Sequence, residues 1–257
     1  MKRLALVGGI VALSLLGTAQ AEIVSGGNVR VSFRGWISPE VLPRSTTAPI
    51  TLHVAGTVEP VGGRRPASLE RVTVEINRHG VITTRGLPTC PWRLLRSRNS
   101  RQALHLCRDA LVGTGHFTSH IDIPEQAPFP ATGRLLAFNS IKNGKSAIAA
   151  HVFGKDPVPT SEVLRMTFGR RGQGTFGPIF SVEMPKIGNE WGYVNGFDLT
   201  LKRRYRYHGR AMSVISASCP APAGIREAPF KAARGIYELA DGSTLTRTLS
   251  GSCQVAR

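Results

Sequence analysis

The chain has 257 residues, with 33 lysines and arginines against 16 acidic residues and a formal net charge of +17. A hydrophobic content of 41% argues against a disordered secreted tail, and the length suffices for one large β domain or two small ones. A positive charge of this size attracts polyanions, and it equally fits a solvated basic surface with no specific ligand.

Residues 1–21 form a predicted signal peptide. Two basic residues precede a 14-residue apolar stretch from Leu4 to Gly17, and Ala19 and Ala21 occupy the small-residue positions that signal peptidase reads. The stretch is short for a permanent membrane helix, which takes about 20 residues. Cleavage after Ala21 predicts a secreted or periplasmic protein with no membrane span. It removes 2 of the 33 basic residues and leaves 31 against 16, a net charge of +15.

Strand patterns dominate the remaining residues. Short alternating or β-rich segments are separated by Gly, Pro, Asn or Asp, which is typical of an all-β protein built as an antiparallel sandwich or barrel-like sheets. The hairpin at Asp241-Gly242 is the strongest turn signal. The predicted strands before it are 29–33, 50–54, 71–76, 119–123, 135–138, 147–153, 163–168, 179–184, 198–207 and 212–218.

One short helix is predicted at about 100–112. Ser100 can cap its start and Gly113 ends it. Small or apolar residues recur at helical spacing between them, namely Ala103, Leu106, Cys107, Ala110 and Leu111.

The four cysteines are expected to pair, because exported proteins meet an oxidising environment. Three connectivities are possible. A bond between Cys90 and Cys107 would pin the helix against the end of the preceding strand, and a bond between Cys219 and Cys253 would join two late strands. No two cysteines lie closer than 17 positions, so neither a zinc site nor a redox C-x-x-C motif is indicated. No metal or cofactor is predicted.

Residues 22–257 are interpreted as one β-rich domain. The alternative is two halves divided near 140–146, because each half contains a strand that runs into a Cys-Pro step.

Three arginine-rich segments are candidate anion-binding sites. A basic stripe opposite tyrosines fits polyanion binding, and so do a glycine-rich loop with open amides and a basic loop held between two cysteines. Each also fits an ordinary strand, hairpin or surface loop. The candidates are Lys202, Arg204 and Arg206 in the stripe, Arg170 and Arg171 in the glycine-rich loop, and Arg93, Arg96 and Arg98 in the stapled loop.

The expected partners are an anionic envelope polymer or a phospholipid surface, with nucleic acid bound only non-specifically. A second candidate site, "NEWGYVNGF", gathers Trp191, Tyr193 and Phe197, whose rings could stack on sugars or fold back onto the core. No nucleophile-elbow, zinc-protease or P-loop motif occurs, so an enzyme is not favoured. The sequence favours an exported, non-catalytic binding or envelope component, with a carbohydrate-directed binding module or hydrolase as the alternative.

The segments "GLPTC", "CRDALVGTG", "LKRRYRYHGRAMSVISASCP" and "YELADGSTLTRTLSGSC" resemble those of a group of uncharacterised secreted bacterial all-β proteins. That group repeats two cysteine pairs, a strand that ends in Cys-Pro and an Asp-Gly hairpin. The likeness covers most of residues 28 to 253. The resemblance implies the pairing of Cys90 with Cys107 and of Cys219 with Cys253, and it implies no catalytic residue or mechanism.

Overall fold

The computed structural model describes residues 20–62, 67–156, 159–185 and 192–256. Residues 1–19 of the predicted signal peptide lie outside this part of the chain. The helices within it are α1 (Trp92–Leu95) and α2 (Ser100–Cys107), followed by a 3-10 turn at Arg108–Ala110. None of the helices in the described residues is long and apolar enough to cross a membrane.

The all-β prediction is confirmed. The described strands are β1 (Gln20–Gly26), β2 (Val29–Ser38), β3 (Val41–Leu42), β4 (Ala48–Pro49), β5 (Thr51–Pro60), β6 (Leu69–Asn77), β7 (Gly80–Ile82), β8 (Leu111–Ile121), β9 (Phe129–Lys142), β10 (Lys145–Gly154), β11 (Thr160–Arg170), β12 (Phe176–Glu183), β13 (Gly192–Leu201), β14 (Arg204–Tyr207), β15 (Arg210–Ser213), β16 (Ile215–Ala217), β17 (Glu227–Leu239) and β18 (Thr244–Val255).

One large sheet contains thirteen of these strands in the order β1-β2-β5-β13-β8-β9-β10-β11-β12-β6-β17-β18-β3. All neighbours are antiparallel except β18 and β3. The sheet curls until β1 meets β18, where Arg247 forms an ion pair with Glu22 at 2.8 Å and the side chain of Leu245 lies against Gly26. The curl gives the sheet an inner and an outer face.

Strands from both halves of the chain interleave in this sheet. β13 lies between β5 and β8, and β6 lies between β12 and β17. The segment near 140–146 is a tight hairpin that joins β9 to β10. Asn143 and Gly144 form its turn with φ of 52° and 75°, a left-handed conformation that favours these two residue types.

Alternation along the strands separates two apolar layers. On β10, Ile148 and Ala150 belong to the inner core, whereas Ala149 packs in an outer cluster with Leu136 and Phe138 of β9. Both faces of these two strands are therefore covered, the outer one by α1 and α2.

The disulfide Cys90–Cys107 is present, with a Cα–Cα distance of 5.6 Å, and holds the two helices on the outer face. The predicted helix is confirmed over Ser100–Cys107, but its cap is Asn99, whose side chain forms a capping box with Gln102. The predicted extension to 112 does not occur, because Leu111 already pairs with β9.

A three-stranded sheet of β4, β16 and β7 closes one end of the curl, and we call it the cap sheet. The second predicted disulfide, Cys219–Cys253, is also present and ties the chain after β16 to β18. We call this the capped end, and we call the end where β9 begins and β10 ends the distal end.

The long strand predicted at 198–207 is divided in two. After Leu201 the chain leaves the large sheet and forms the β14–β15 hairpin, and after Val214 it enters the cap sheet as β16. The Val214 amide donates to the carbonyl of Arg203 at 2.9 Å, while its own carbonyl accepts from the Thr83 amide at 3.0 Å. These two bonds connect the hairpin with the chain that follows β7.

Candidate functional site

The inner face of the curled sheet encloses a cavity of about 650 Å³. Most of the strands of the large sheet contribute to its wall, together with the cap sheet. Its volume falls within the range of about 300–1,000 Å³ that is usual for small-molecule sites. On β6, for example, Val72, Val74 and Ile76 line the cavity on one face of the strand.

The cavity wall is mainly aliphatic and aromatic, and part of it stays accessible. Leu52, Val54, Phe117 and Leu164 face the inside of the sheet, yet each is only half-buried. In a close-packed core such side chains would touch neighbours on every side. Their accessible surface is apolar and is therefore suited to an apolar ligand.

The cavity is elongated along the strands. It is lined from Leu69 to Asn77 of β6, which are eight residue steps apart. At about 3.3 Å per step the lining extends over about 26 Å. Ile82 and Ile215 of the cap sheet line the capped end.

The charged groups that line the cavity are acidic. Glu40 and Glu227 lie at the capped end, and Asp156 and Glu162 lie at the distal end. Among the lining residues in the described part of the chain there is no lysine or arginine. The wall thus contrasts with the basic composition of the whole chain.

Tyr237 places a polar group in the apolar wall. Its side chain is only 3% exposed, and its hydroxyl has no hydrogen-bond partner among the described residues. The hydroxyl lies over Gly235, where a Cβ atom would come within 2.6 Å of it. Burial raises the pKa of Tyr237, so the hydroxyl keeps its proton and remains a donor.

A basic cluster on the outer face surrounds Trp92 at the start of α1, and we call it the Trp92 cluster. The guanidinium carbons of Arg93 and Arg96 lie 5.7 Å from the centre of the indole ring, and that of Arg165 on β11 lies at 4.8 Å. All three arginines are exposed. Cation–π contacts hold them together on one ring. Arg98 is also exposed, beyond the end of α1.

The predicted basic stripe begins at Lys202, two residues before β14, and continues along β14 of the β14–β15 hairpin. Lys202, Arg204 and Arg206 are exposed, while Tyr205 and Tyr207 alternate with the arginines and are half-buried. The Tyr205 hydroxyl donates to the carbonyl of Arg85 at 2.8 Å, which fixes the hairpin to the loop after β7.

The glycine-rich segment runs from the end of β11 to β12, with Arg170 as the last residue of β11 and Arg171 as the first residue after it. Arg170 is exposed, whereas Arg171 donates through Nε to the fully buried carboxylate of Glu75 at 2.5 Å. Arg234 on β17 donates to the other oxygen of Glu75 at 2.6 Å. The two guanidiniums compensate the buried charge, so Arg171 already has an anionic partner within the chain.

The predicted sugar-binding aromatics are divided between different surroundings. Trp191 lies outside the described residues. Tyr193 packs against His120, with ring centres 5.4 Å apart, while Phe197 lines the inner cavity. A β-bulge at Asn195 shifts the alternation, so the two rings point to opposite faces of β13.

Three features escaped the sequence analysis: the cavity, the Tyr237 hydroxyl and the position of Arg165 beside Trp92. The apolar alternation on β6, β10 and β13 was the available signal for the cavity wall. That signal does not distinguish a filled core from a hollow one, since both need apolar inner faces.

No group of three or more His, Cys, Asp or Glu residues in the described ranges is arranged to hold a metal ion. Comparisons with protein-family models, curated proteins and solved structures found no match. The function is therefore argued from the residues of this chain.

Proposed function

We propose that this protein is an exported, non-catalytic binding protein that holds an elongated apolar molecule inside its curled sheet. The observation that carries the proposal is the cavity of about 650 Å³ with an aliphatic and aromatic wall. Elongated apolar surface on a ligand would be removed from water there, at about 25 cal/mol per Å².

The predicted signal peptide and the two disulfides support action outside the cytoplasm. A lipid that crosses an aqueous compartment needs its chain shielded from water, because exposed apolar surface is costly. A sheet that curls until β1 meets β18, with a cap sheet linked to β18 by a disulfide at one end, is suited to that task. The ligand class we propose is a molecule with one long hydrocarbon chain.

The first test measures binding of N-phenyl-1-naphthylamine, a neutral probe whose fluorescence rises in apolar surroundings. We expect saturable binding that dodecane reverses by competition. In Ala150→Phe, an added ring would occupy the cavity, because Ala150 is part of its wall. Affinity for the probe should then fall at least about tenfold, equivalent to about 1.4 kcal/mol.

Ser146→Phe is the matched control, since Ser146 is four residues earlier on β10 and exposed. It adds a ring outside the cavity and should bind the probe as the wild type does. Leu164→Trp fills the cavity from β11 and guards against misfolding of the first variant, with thermal unfolding recorded for all three. Unchanged probe affinity in both filled variants would contradict the proposal.

A second candidate function is binding to an anionic envelope polymer or a phospholipid surface. The Trp92 cluster favours it, because three guanidiniums are held around one ring next to a disulfide. A preorganised basic site loses little side-chain entropy on binding. Arginine forks are suited to phosphate and carboxylate groups.

The test for this candidate is the salt dependence of binding to duplex DNA, used as a model polyanion. Each phosphate contact adds about 0.9 to the slope of log K against log salt concentration. Replacing Arg93, Arg96 and Arg165 by Gln should reduce that slope by about 2 to 3 units. Replacing the exposed Arg30, Arg34 and Arg226 removes the same charge elsewhere. An equal reduction in both triple variants would show diffuse attraction and no site at Trp92.

A further inference from the structure

We infer that the cavity selects an uncharged single-chain lipid ester and that the Tyr237 hydroxyl donates a hydrogen bond to an ester oxygen. This inference rests on the proposed function and adds the chemical class of the ligand. Two independent observations support it: an unpartnered donor in the wall, and the sign of the charges around the cavity.

The first observation concerns hydrogen bonding. Buried hydroxyl groups are nearly always paired, and an exception calls for an explanation. Tyr237 is buried among Val31, Phe33 and Val72, which offer no acceptor. The hydroxyl has almost no accessible surface among these side chains, so a ligand oxygen satisfies the donor once they move apart to admit it. A plain hydrocarbon would leave it unpaired, so the wall itself distinguishes an ester from an alkane.

The absence of a side chain at Gly235 is part of this arrangement. A Cβ atom at Gly235 would lie 2.6 Å from the hydroxyl oxygen and 2.9 Å from the ring carbon that bears it. The phenol can therefore lie along β17 over the glycine. The same strand supplies both the donor and the space in which the donor is accommodated.

The second observation concerns charge. A carboxylate that enters an apolar cavity loses its hydration and needs a cation or several donors in return. The lining residues of the described chain offer no lysine or arginine, and their one basic side chain is the imidazole of His79 near the cap sheet, whereas the acidic side chains Glu40, Asp156, Glu162 and Glu227 lie at the two ends. These carboxylates offer an entering anion no compensating charge. A fatty-acid anion is thus a poor ligand, although its chain has the same shape as that of the ester.

The experiment compares three ligands with matched chains as competitors of N-phenyl-1-naphthylamine at pH 8: dodecane, methyl dodecanoate and dodecanoate. We expect methyl dodecanoate to bind about 2- to 12-fold more tightly than dodecane, the gain from one net hydrogen bond. Dodecanoate should bind at least about tenfold more weakly than its methyl ester.

Tyr237→Phe removes only the hydroxyl. It should reduce the affinity for methyl dodecanoate to that for dodecane and leave the affinity for dodecane unchanged. Tyr205→Phe is the control, because the Tyr205 hydroxyl donates to Arg85 away from the cavity wall. Gly235→Ala is a second variant, in which the added carbon displaces the hydroxyl and should also abolish the preference for the ester.

The possible outcomes distinguish a failure of the proposed function from a failure of the ester inference. If the probe and all three competitors fail to bind, the proposed function is wrong. If dodecane binds but dodecanoate binds as tightly as the methyl ester or more tightly, the inference about charge is overturned. If Tyr237→Phe retains the preference for the ester, the donor is not Tyr237 and the inference fails while the cavity remains a binding site.

Discussion

At the scale of single residues, His151 is a buried histidine whose protonation bears on stability. It is fully buried beneath the helices on the outer side of β10, and its Nε2 atom donates to the carbonyl of Arg98 at 2.8 Å. Its Nδ1 atom has no partner among the described residues. Burial lowers the pKa of His151 and outweighs the opposite effect of the bond to Arg98.

This lowered pKa predicts a loss of stability in mild acid. The unfolded chain titrates near pH 6.5 and the folded one below it, so the unfolded state binds more protons as pH falls. The stabilisation is fully present above about pH 6.5 and is lost progressively as pH falls from there through the lower pKa of the folded state. Urea unfolding between pH 7.5 and 5 should therefore depend less steeply on pH in His151→Gln than in the wild type.

His105→Gln is the control for that measurement, because His105 is an exposed histidine on α2. Its pH dependence should match that of the wild type. If His151→Gln also matches the wild type, then titration of His151 does not contribute to acid sensitivity.

At the scale of elements, most strands could be predicted from alternation, whereas their ends could not. The segments at 29–33 and 71–76 lie within the longer strands β2 and β6. On either side of the β14–β15 hairpin the chain bonds to residues distant in sequence: the Lys202 amide donates to the Val112 carbonyl, and the Val214 carbonyl accepts from the Thr83 amide. Asn195 is a similar case, because a bulge depends on two neighbouring strands at once.

The short helix illustrates the same limit. Helical spacing continues through Ala110, yet the chain changes to a strand at Leu111 because β9 offers a pairing partner there. Leu106, predicted on the apolar face, is 48% exposed. Helical periodicity alone could not show that the sheet contacts only the side of α2 with Ala103 and Cys107.

The two disulfides are expected to act on different elements. Replacing Cys219 and Cys253 by Ser removes a cross-link with a sequence separation of 34. In the chain-entropy account this lowers the free energy of unfolding by about 4 kcal/mol. The cap sheet should loosen, and N-phenyl-1-naphthylamine should bind more weakly and dissociate faster. Urea unfolding and stopped-flow fluorescence measure the two effects.

Replacing Cys90 and Cys107 by Ser is the matched comparison. That link has a sequence separation of 17, so its loss should lower the free energy of unfolding by about 3 kcal/mol. Because it lies on the outer face, probe binding should stay unchanged. Equal effects of both double variants on the probe would show that the cap sheet has no special role at the cavity.

At the scale of the whole molecule, the chain combines an apolar interior with a basic exterior. The net charge of +17 belongs to the complete sequence, yet the charged residues that line the cavity are acidic. The Trp92 cluster and the β14–β15 hairpin carry exposed positive charge outside the sheet. Separate surfaces thus correspond to the two functions proposed, one for an apolar chain and one for polyanions.

The sequence by itself determined the all-β class, most of the strands, the helix around Ala103 and the expectation that the four cysteines pair. Local alternation and turn residues are properties of short segments, and the oxidation of cysteines follows from the compartment, so none of them depends on which residues become neighbours in the fold. The tertiary structure decided the order of the strands, the curl that brings β1 to β18, the gathering of Arg165 with Trp92, and the cavity. These features depend on pairing between residues far apart in the chain, and the hollow depends on how far opposite walls stand from each other. Alternation fixes which side chains face inward but leaves that distance open.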